Sequence, residues 1–119
     1  MLKDKISGFV EKIRSVEGIS ACALISRDGI VAGKSFDRQL NEPWFGALSA
    51  TILASAESVA NLIRMASTDS VTIRGPDAVI IVMGAGDRFL VATILAKNAD
   101  FVGVHDQLMT ISRTIGEAM

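Results

Sequence analysis

Few side chains in this sequence are of the kinds that make or break bonds at neutral pH. There is one cysteine, Cys22, and one histidine, His105. A thiolate–imidazole pair would need the fold to bring these two distant residues together. Cys22 sits inside the apolar run Ile19 to Ser26 (ISACALIS), not at a turn or helix N-terminus where a thiolate is stabilised. It reads as a small buried hydrophobe in a reducing compartment. One His and one Cys cannot assemble the usual zinc ligands, and neither a metal nor any other cofactor is expected. The stretch Gly84-Ala85-Gly86-Asp87-Arg88-Phe89 begins like a dinucleotide fingerprint. It lacks the third glycine and leads into an apolar strand, so it reads as a hairpin turn. The full phosphate-loop motif Gly-x-x-x-x-Gly-Lys-Ser/Thr is absent, since Gly33-Lys34-Ser35 has Asp28 where the first glycine must stand, and a P-loop nucleotide hydrolase is not expected. Asp28, next to Gly29, reads as a turn residue and not as a general base. Arg27, Arg38, Arg74 and Arg88 stand near turns or strand ends, where a guanidinium can reach a partner's phosphates; exposed loop arginines are more simply solvated.

With so little chemistry on offer, the elements themselves carry the information. The 119 residues suffice for one domain, and half of them are apolar, enough for a core without disulfides or metal. Twelve basic and 13 acidic residues leave a net charge of −1, with Lys and Arg scattered singly. There is no Tyr and one Trp. Neither a phosphate-following basic stripe nor base-stacking aromatics are available, so nucleic-acid binding is not expected. The first eighteen residues interrupt their apolar positions with charges at nearly every turn, unlike a secretory signal; the cytoplasm is the expected location.

Leu2, Ile6, Phe9, Ile13 and Val16 recur at steps of four and three, predicting an amphipathic helix that ends at Gly18. Ile19 to Ser26 and Ile30 to Ser35 read as strands joined through Asp28-Gly29, a hairpin signal in which both turn positions take positive φ. Asn41 or Glu42 caps the next helix, with Pro43 in its first turn. Val71 and Ile73 alternate with Thr72 and Arg74 in a strand with one wet face. Ala78 to Met83 and Phe89 to Ala96 are continuously apolar, as central strands covered on both faces should be. Phe101, Val104, Leu108, Ile111 and Ile115 place a last amphipathic helix at the C-terminus. The expected class is α+β in the order αββαβββα. A five-stranded, mainly antiparallel sheet would carry the terminal helices on one face and the long helix on the other.

The long helix, Trp44 to Ala66, has only two charges, Glu57 and Arg64, and would run about 35 Å. Those charges, Asn61 and several Ser and Thr residues argue against a membrane span. Phe45, Leu48, Ile52, Val59, Leu62 and Ile63 gather on one face, expected to pack on the core. Gly46, Ala50, Leu53, Glu57, Asn61 and Arg64 lie opposite, flanked by Ala54 and Ala60. That second face lacks a charged stripe and is expected to meet another protein chain. Small residues there would let two helices approach closely, and Glu57 of one copy would approach Arg64 of another across a two-fold axis. Val71 and Ile73 would lie at a sheet edge that pairing between copies removes.

This order, with particular stretches, resembles the roadblock/LC7 family of dimeric scaffold and GTPase-regulating proteins. The matching stretches are Glu17-Gly18-Ile19, then Ala23 to Ala32 (ALISRDGIVA) across the hairpin, the Ala- and Ser-rich long helix, and Asp100-Phe101-Val102-Gly103 before the closing helix. The resemblance implies a homodimer built by the long helix and the following strand, two such strands joining the sheets edge to edge. It also implies a small Ras-like GTPase as partner and no catalytic activity, with the prokaryotic gliding-regulator branch the most similar. A second reading is a small-molecule-sensing module of the PAS, GAF or profilin kind. Ala21, Ala23, Ala92 and Thr93 would then leave space over the sheet.

Overall fold

Five strands and three helices build the molecule, and the computed structural model describes residues 1–119. In chain order the elements are α1 (Leu2–Arg14), β1 (Ile19–Ser26), β2 (Val31–Ser35), α2 (Glu42–Leu62), β3 (Val71–Arg74), β4 (Ala78–Ala85), β5 (Phe89–Ala96) and α3 (Phe101–Ala118). The αββαβββα order expected from the sequence is the order found. All strand pairs are antiparallel, in the spatial order β2-β1-β5-β4-β3. β1, β5 and β4 are therefore central, and β2 and β3 are the two edges.

Alternate residues of the central strands feed two separate cores. Cys22, Leu24, Ile81, Met83, Val91 and Leu95 point to the α1 and α3 side, where they join Ile13, Leu108 and Ile115 in a sixteen-residue core. Ala23, Ile25, Val82, Leu90 and Ala92 point to the other side and meet Ala50 and Leu53 of α2 in a core of only seven. One helix lies over the thin core and two over the thick one.

The β1–β2 connection differs from a two-residue hairpin with two positive φ angles. Ser26 N–H donates to the Ile30 carbonyl at 2.8 Å and Gly29 N–H to the Ser26 carbonyl at 2.9 Å. Gly29 alone in this turn has a positive φ, +94°. Arg27, Asp28 and Gly29 thus form a three-residue loop closed by glycine, with Ser26 Oγ bonded to the Asp28 carboxylate. Asp28 is a turn residue, as its sequence context suggests.

Asn41 caps α2, its side chain accepting from Trp44 N–H at 3.1 Å, and Pro43 occupies the first turn. The helix stops at Leu62, four residues before the expected end. Arg64 takes the left-handed conformation (φ +56°). Its N–H bonds to the Asn61 carbonyl and Met65 N–H to the Ala60 carbonyl, both at 3.1 Å. This is a Schellman closure without the usual glycine, which is why periodicity did not reveal it.

α2 lies close against the β1–β2 loop at its N-terminal end. A Cβ on Gly46 would collide with the backbone carbonyl oxygen of Gly29 and come within 3.1 Å of Val31. Gly46→Ala is expected to destabilise by about 1–3 kcal/mol in urea unfolding, although alanine is the better helix former. Gly8→Ala in α1, where a Cβ meets nothing within 4 Å, should instead stabilise by about 0.5–1 kcal/mol.

Candidate functional site

The two faces of α2 are the reverse of the sequence expectation. Gly46, Ser49, Ala50, Leu53 and Ala60 are buried within the chain itself, Ala50 and Leu53 in the thin core and Gly46 against Gly29. Leu48 and Val59 are 52% and 64% exposed, and Leu62 and Ile63 just beyond them are 83% and 73% exposed. Phe45, by contrast, packs partly on the thin core, with its ring edge-on to Phe36. Beneath α2 the sheet presents Ala23 and Ala92 beside the larger Ile25, Val82 and Leu90, and the helix meets them with Ala50 and Leu53. Leu48, Val59 and Leu62 are left outside. Gly46, Ala50, Leu53 and Ala60 are thus unavailable to a partner chain, whereas Ala54, Asn61, Arg64 and Ile73 are exposed and Val71 is half-buried.

Glu57 and Arg64, expected to face one another between copies, are separated by the end of the helix. Glu57 pairs within its own chain instead, accepting from Arg27 Nη1 at 3.0 and 3.2 Å. Arg27 also donates from Nε to the Phe89 carbonyl at 3.1 Å and from Nη2 to the Gly86 carbonyl at 2.8 Å. One guanidinium therefore ties the β1–β2 loop, the β4–β5 turn and α2 together. This cluster joins residues thirty and about sixty positions apart, and no local pattern announces it.

The other arginines are distributed differently. Arg38 binds Asp37 at 2.7 Å and Ser20 Oγ at 3.1 Å, and its guanidinium holds the Asp37 carboxyl below the usual carboxylate range. Arg74 lies over the Phe101 ring, 4.3 Å from its centroid. Arg88, in the β4–β5 turn, makes no side-chain hydrogen bond or ion pair. Of the four candidate fingers, only Arg88 has its guanidinium unengaged.

Cys22 and His105 do not meet. Cys22 is completely buried in the thick core, its thiol donating to the Val10 carbonyl at 3.7 Å. Burial pushes that thiol up to about 11, outweighing the nearby Arg14 charge and a backbone hydrogen bond from Ser35. His105 Nε2 lies 2.7 Å from Ser70 Oγ, a pairing across thirty-five residues that sequence reasoning missed. The histidine stacks loosely on Phe101, and together they fasten α3 to the segment leading into β3. Ala21, Ala23, Ala92 and Thr93, expected to leave room for a ligand, are fully buried beneath the helices. Thr93 Oγ1 is satisfied by the Ile81 carbonyl at 3.2 Å. No three His, Cys, Asp or Glu side chains cluster as a metal site, and no helix is long and apolar enough to cross a membrane.

What remains is a surface: the outer side of α2, its exposed end at Leu62, Ile63 and Met65, and the β3 edge with Ile73 41% exposed. The roadblock/LC7 domain model matches residues 7–96, most of the chain and every strand. The chain belongs to the roadblock/LC7 family. Solved structures of this fold superimpose over nearly the whole molecule. MglB from Myxococcus xanthus is similar at 14% identity, with a TM-score of 0.88, over 98% of this chain and 88% of that one. The gliding protein MglB from Thermus thermophilus matches at 18% identity and TM-score 0.86, over 97% and 88%. A roadblock/LC7 domain from Streptomyces avermitilis matches at 18% identity and TM-score 0.77, over 97% and 95%. At these identities the likeness is one of fold. No curated protein sequence matches the chain.

The Arg27 cluster and the Cys22 thiol each yield a measurable expectation. Arg27→Ala should cost about 1–3 kcal/mol, since it leaves two carbonyls without their donor. Glu57→Ala should cost no more than about 1 kcal/mol, because the two side chains of the ion pair are 31% and 40% exposed and screened by solvent. Cys22 should resist alkylation at pH 8 until denaturant is added. Its folded thiol ionises less readily than the unfolded one, so its contribution to stability is complete below the ordinary value of 9.0 and is lost as pH rises toward about 11. The urea midpoint should therefore fall across that interval by more in the wild type than in Cys22→Ala.

Proposed function

We propose that this protein is a non-enzymatic homodimeric regulator or scaffold, acting in the cytoplasm, that binds a small Ras-like GTPase through a surface formed by the dimer. The observation that carries the reading is the exposed apolar stripe of α2 continuing onto an unprotected sheet edge. Leu48, Val59 and Leu62 recur on the outer face of α2, with Ile52 half-buried between them. A contiguous apolar surface of this kind marks an interface.

The two sheet edges differ in the way this reading needs. β2 is interrupted, since its register against β1 shifts between Leu24 and Ile25, and Lys34 lies on it. Bulges and lysines are devices that deter edge-to-edge pairing. β3 keeps a regular register with β4 from Val71 to Arg74 and carries neither device. Two copies joined antiparallel along β3 would satisfy both open edges and bring the outer faces of their α2 helices together. In this arrangement Leu48, Ile52, Val59, Leu62 and Ile63 replace the buried small residues as the helix contacts. Asn61, Arg64, Val71 and Ile73 keep the interface role expected of them.

The GTPase assignment rests on family membership and on a chain whose polar groups serve its own fold. A regulator of this kind acts by reshaping the switch segments of its partner and needs no arginine finger. Leu62→Glu combined with Ile73→Glu should weaken self-association about a hundredfold, about 2.8 kcal/mol, in sedimentation velocity, with the circular dichroism spectrum unchanged. Pull-downs from native extract with GDP or a GTP analogue should recover a Ras-like GTPase in one nucleotide state, and the double variant should lose it. A wild-type protein that sediments as a monomer at high concentration would overturn the proposal.

A further inference from the structure

At the opposite edge of the sheet from β3, α1 and β2 enclose an open groove of about 1010 Å³. Its apolar side is a row on α1: Leu2, Ile6 and Val10, at steps of four residues and so on one helix face. Val10 is buried, Ile6 half-buried, and Leu2 is 61% exposed. The β2 side is bare of bulk, with Ala32 and Gly33 lining it. A Cβ on Gly33 would meet Ile6 Cγ2 at 2.7 Å and Val10 Cγ2 at 2.9 Å, so this strand position must stay empty for α1 to seat.

The groove is cationic in a chain of net charge −1. Lys3, Arg14 and Lys34 line it, against Glu11 as the one acidic side chain. Only Lys34 has an acidic partner, Glu42 at 2.8 Å. Lys3 forms no ion pair. Arg14 donates to neutral oxygens alone, the Ile19 carbonyl at 3.3 Å and Ser35 Oγ at 2.8 Å. A second copy meeting this groove with its own would bring like charge to like charge. The interrupted register of β2 disfavours addition of an extended strand. A helix laid along α1 needs no edge hydrogen bonds, only apolar anchors at i and i+4 and complementary charge beside them.

We propose that the groove between α1 and β2 is a docking site for an amphipathic helix of another protein, with one apolar face and Asp or Glu along its flanks. Its apolar residues would pack on Leu2, Ile6 and Val10 while its carboxylates meet Lys3, Arg14 and Lys34. The thirteen residues of α1 correspond to about 20 Å, matched by a partner helix of about fourteen residues. Because the groove lies at the β2 edge, a dimer joined along β3 leaves it open in both copies, and the proposal stands independently of any GTPase.

The test is selection from a displayed library of fourteen-residue helical peptides against the full-length protein. The selected peptides are then synthesised and measured by fluorescence anisotropy. Selected sequences should carry apolar residues at i and i+4 flanked by Asp or Glu. Their affinity should fall about tenfold or more for Lys3→Glu combined with Lys34→Glu, and similarly for Leu2→Glu, all surface changes that leave the fold intact. Amide shifts should map to α1 and β2. Failure to select any binder, enrichment of basic or uncharged helices, affinity unmoved by these variants, or shifts confined to α2 would each overturn the proposal.

Discussion

The close seating of α2 on the sheet governs the rest of the molecule. Gly46 meets the backbone of Gly29 in the β1–β2 loop with no room for a methyl group between them, and Ala50 and Leu53 continue the contact onto Ala23, Ala92 and their larger strand neighbours. A helix held this close buries little of its own bulk. Leu53 goes inward and Phe45 partly so, whereas Leu48, Val59 and Leu62 stay outside. The thin core on this side, seven residues against sixteen on the other, is therefore coupled to the apolar outer surface. A thicker interface beneath α2 would have drawn Leu48 and Val59 inward and left an ordinary polar helix surface.

Much of this architecture is legible in the sequence because it is local. The apolar runs of β1 and β5 match the observed strands residue for residue, and the caps of α2 and α3 are side chains accepting from Trp44 N–H and Gly103 N–H. What periodicity cannot decide is which of two apolar helix faces turns inward. The packing partners decide it, and they are strand residues far away in the chain. The end of α2 is hidden for a different reason. Arg64 occupies the position where a glycine would have marked the stop. Arg27 with Glu57, and Ser70 with His105, are pairings made by the tertiary fold, and no spacing rule reaches across thirty residues.

The same distinction explains why the polar residues that look chemical are structural. Arg27 resembles a free loop guanidinium in sequence. In the fold, its planar fork satisfies two carbonyls from the β4–β5 hairpin and one carboxylate from α2 at once, which an ammonium could not do with the same geometry. A side chain fixed at three points is poorly suited to swing into a partner's site. Cys22 is likewise settled by its surroundings, since a thiol sealed in the thick core and raised to about 11 has no thiolate to offer near neutral pH.

The two edges of the sheet differ in regularity, and that difference underlies both proposed contacts. At β3 the ladder is regular, Val71 and Ile73 face the α2 side, and Arg74 and His105 brace the strand from the α3 side through Phe101 and Ser70. That bracing holds a four-residue strand straight although only one neighbour pairs with it. At β2 the interrupted register and Lys34 deny the same opportunity, yet Gly33 and Ala32 strip the strand of bulk and leave a trough beside α1. An edge blunted against strands is thereby left as a groove for side chains. In the proposed arrangement a two-fold contact along β3 would consume the regular edge, so the pair would not propagate.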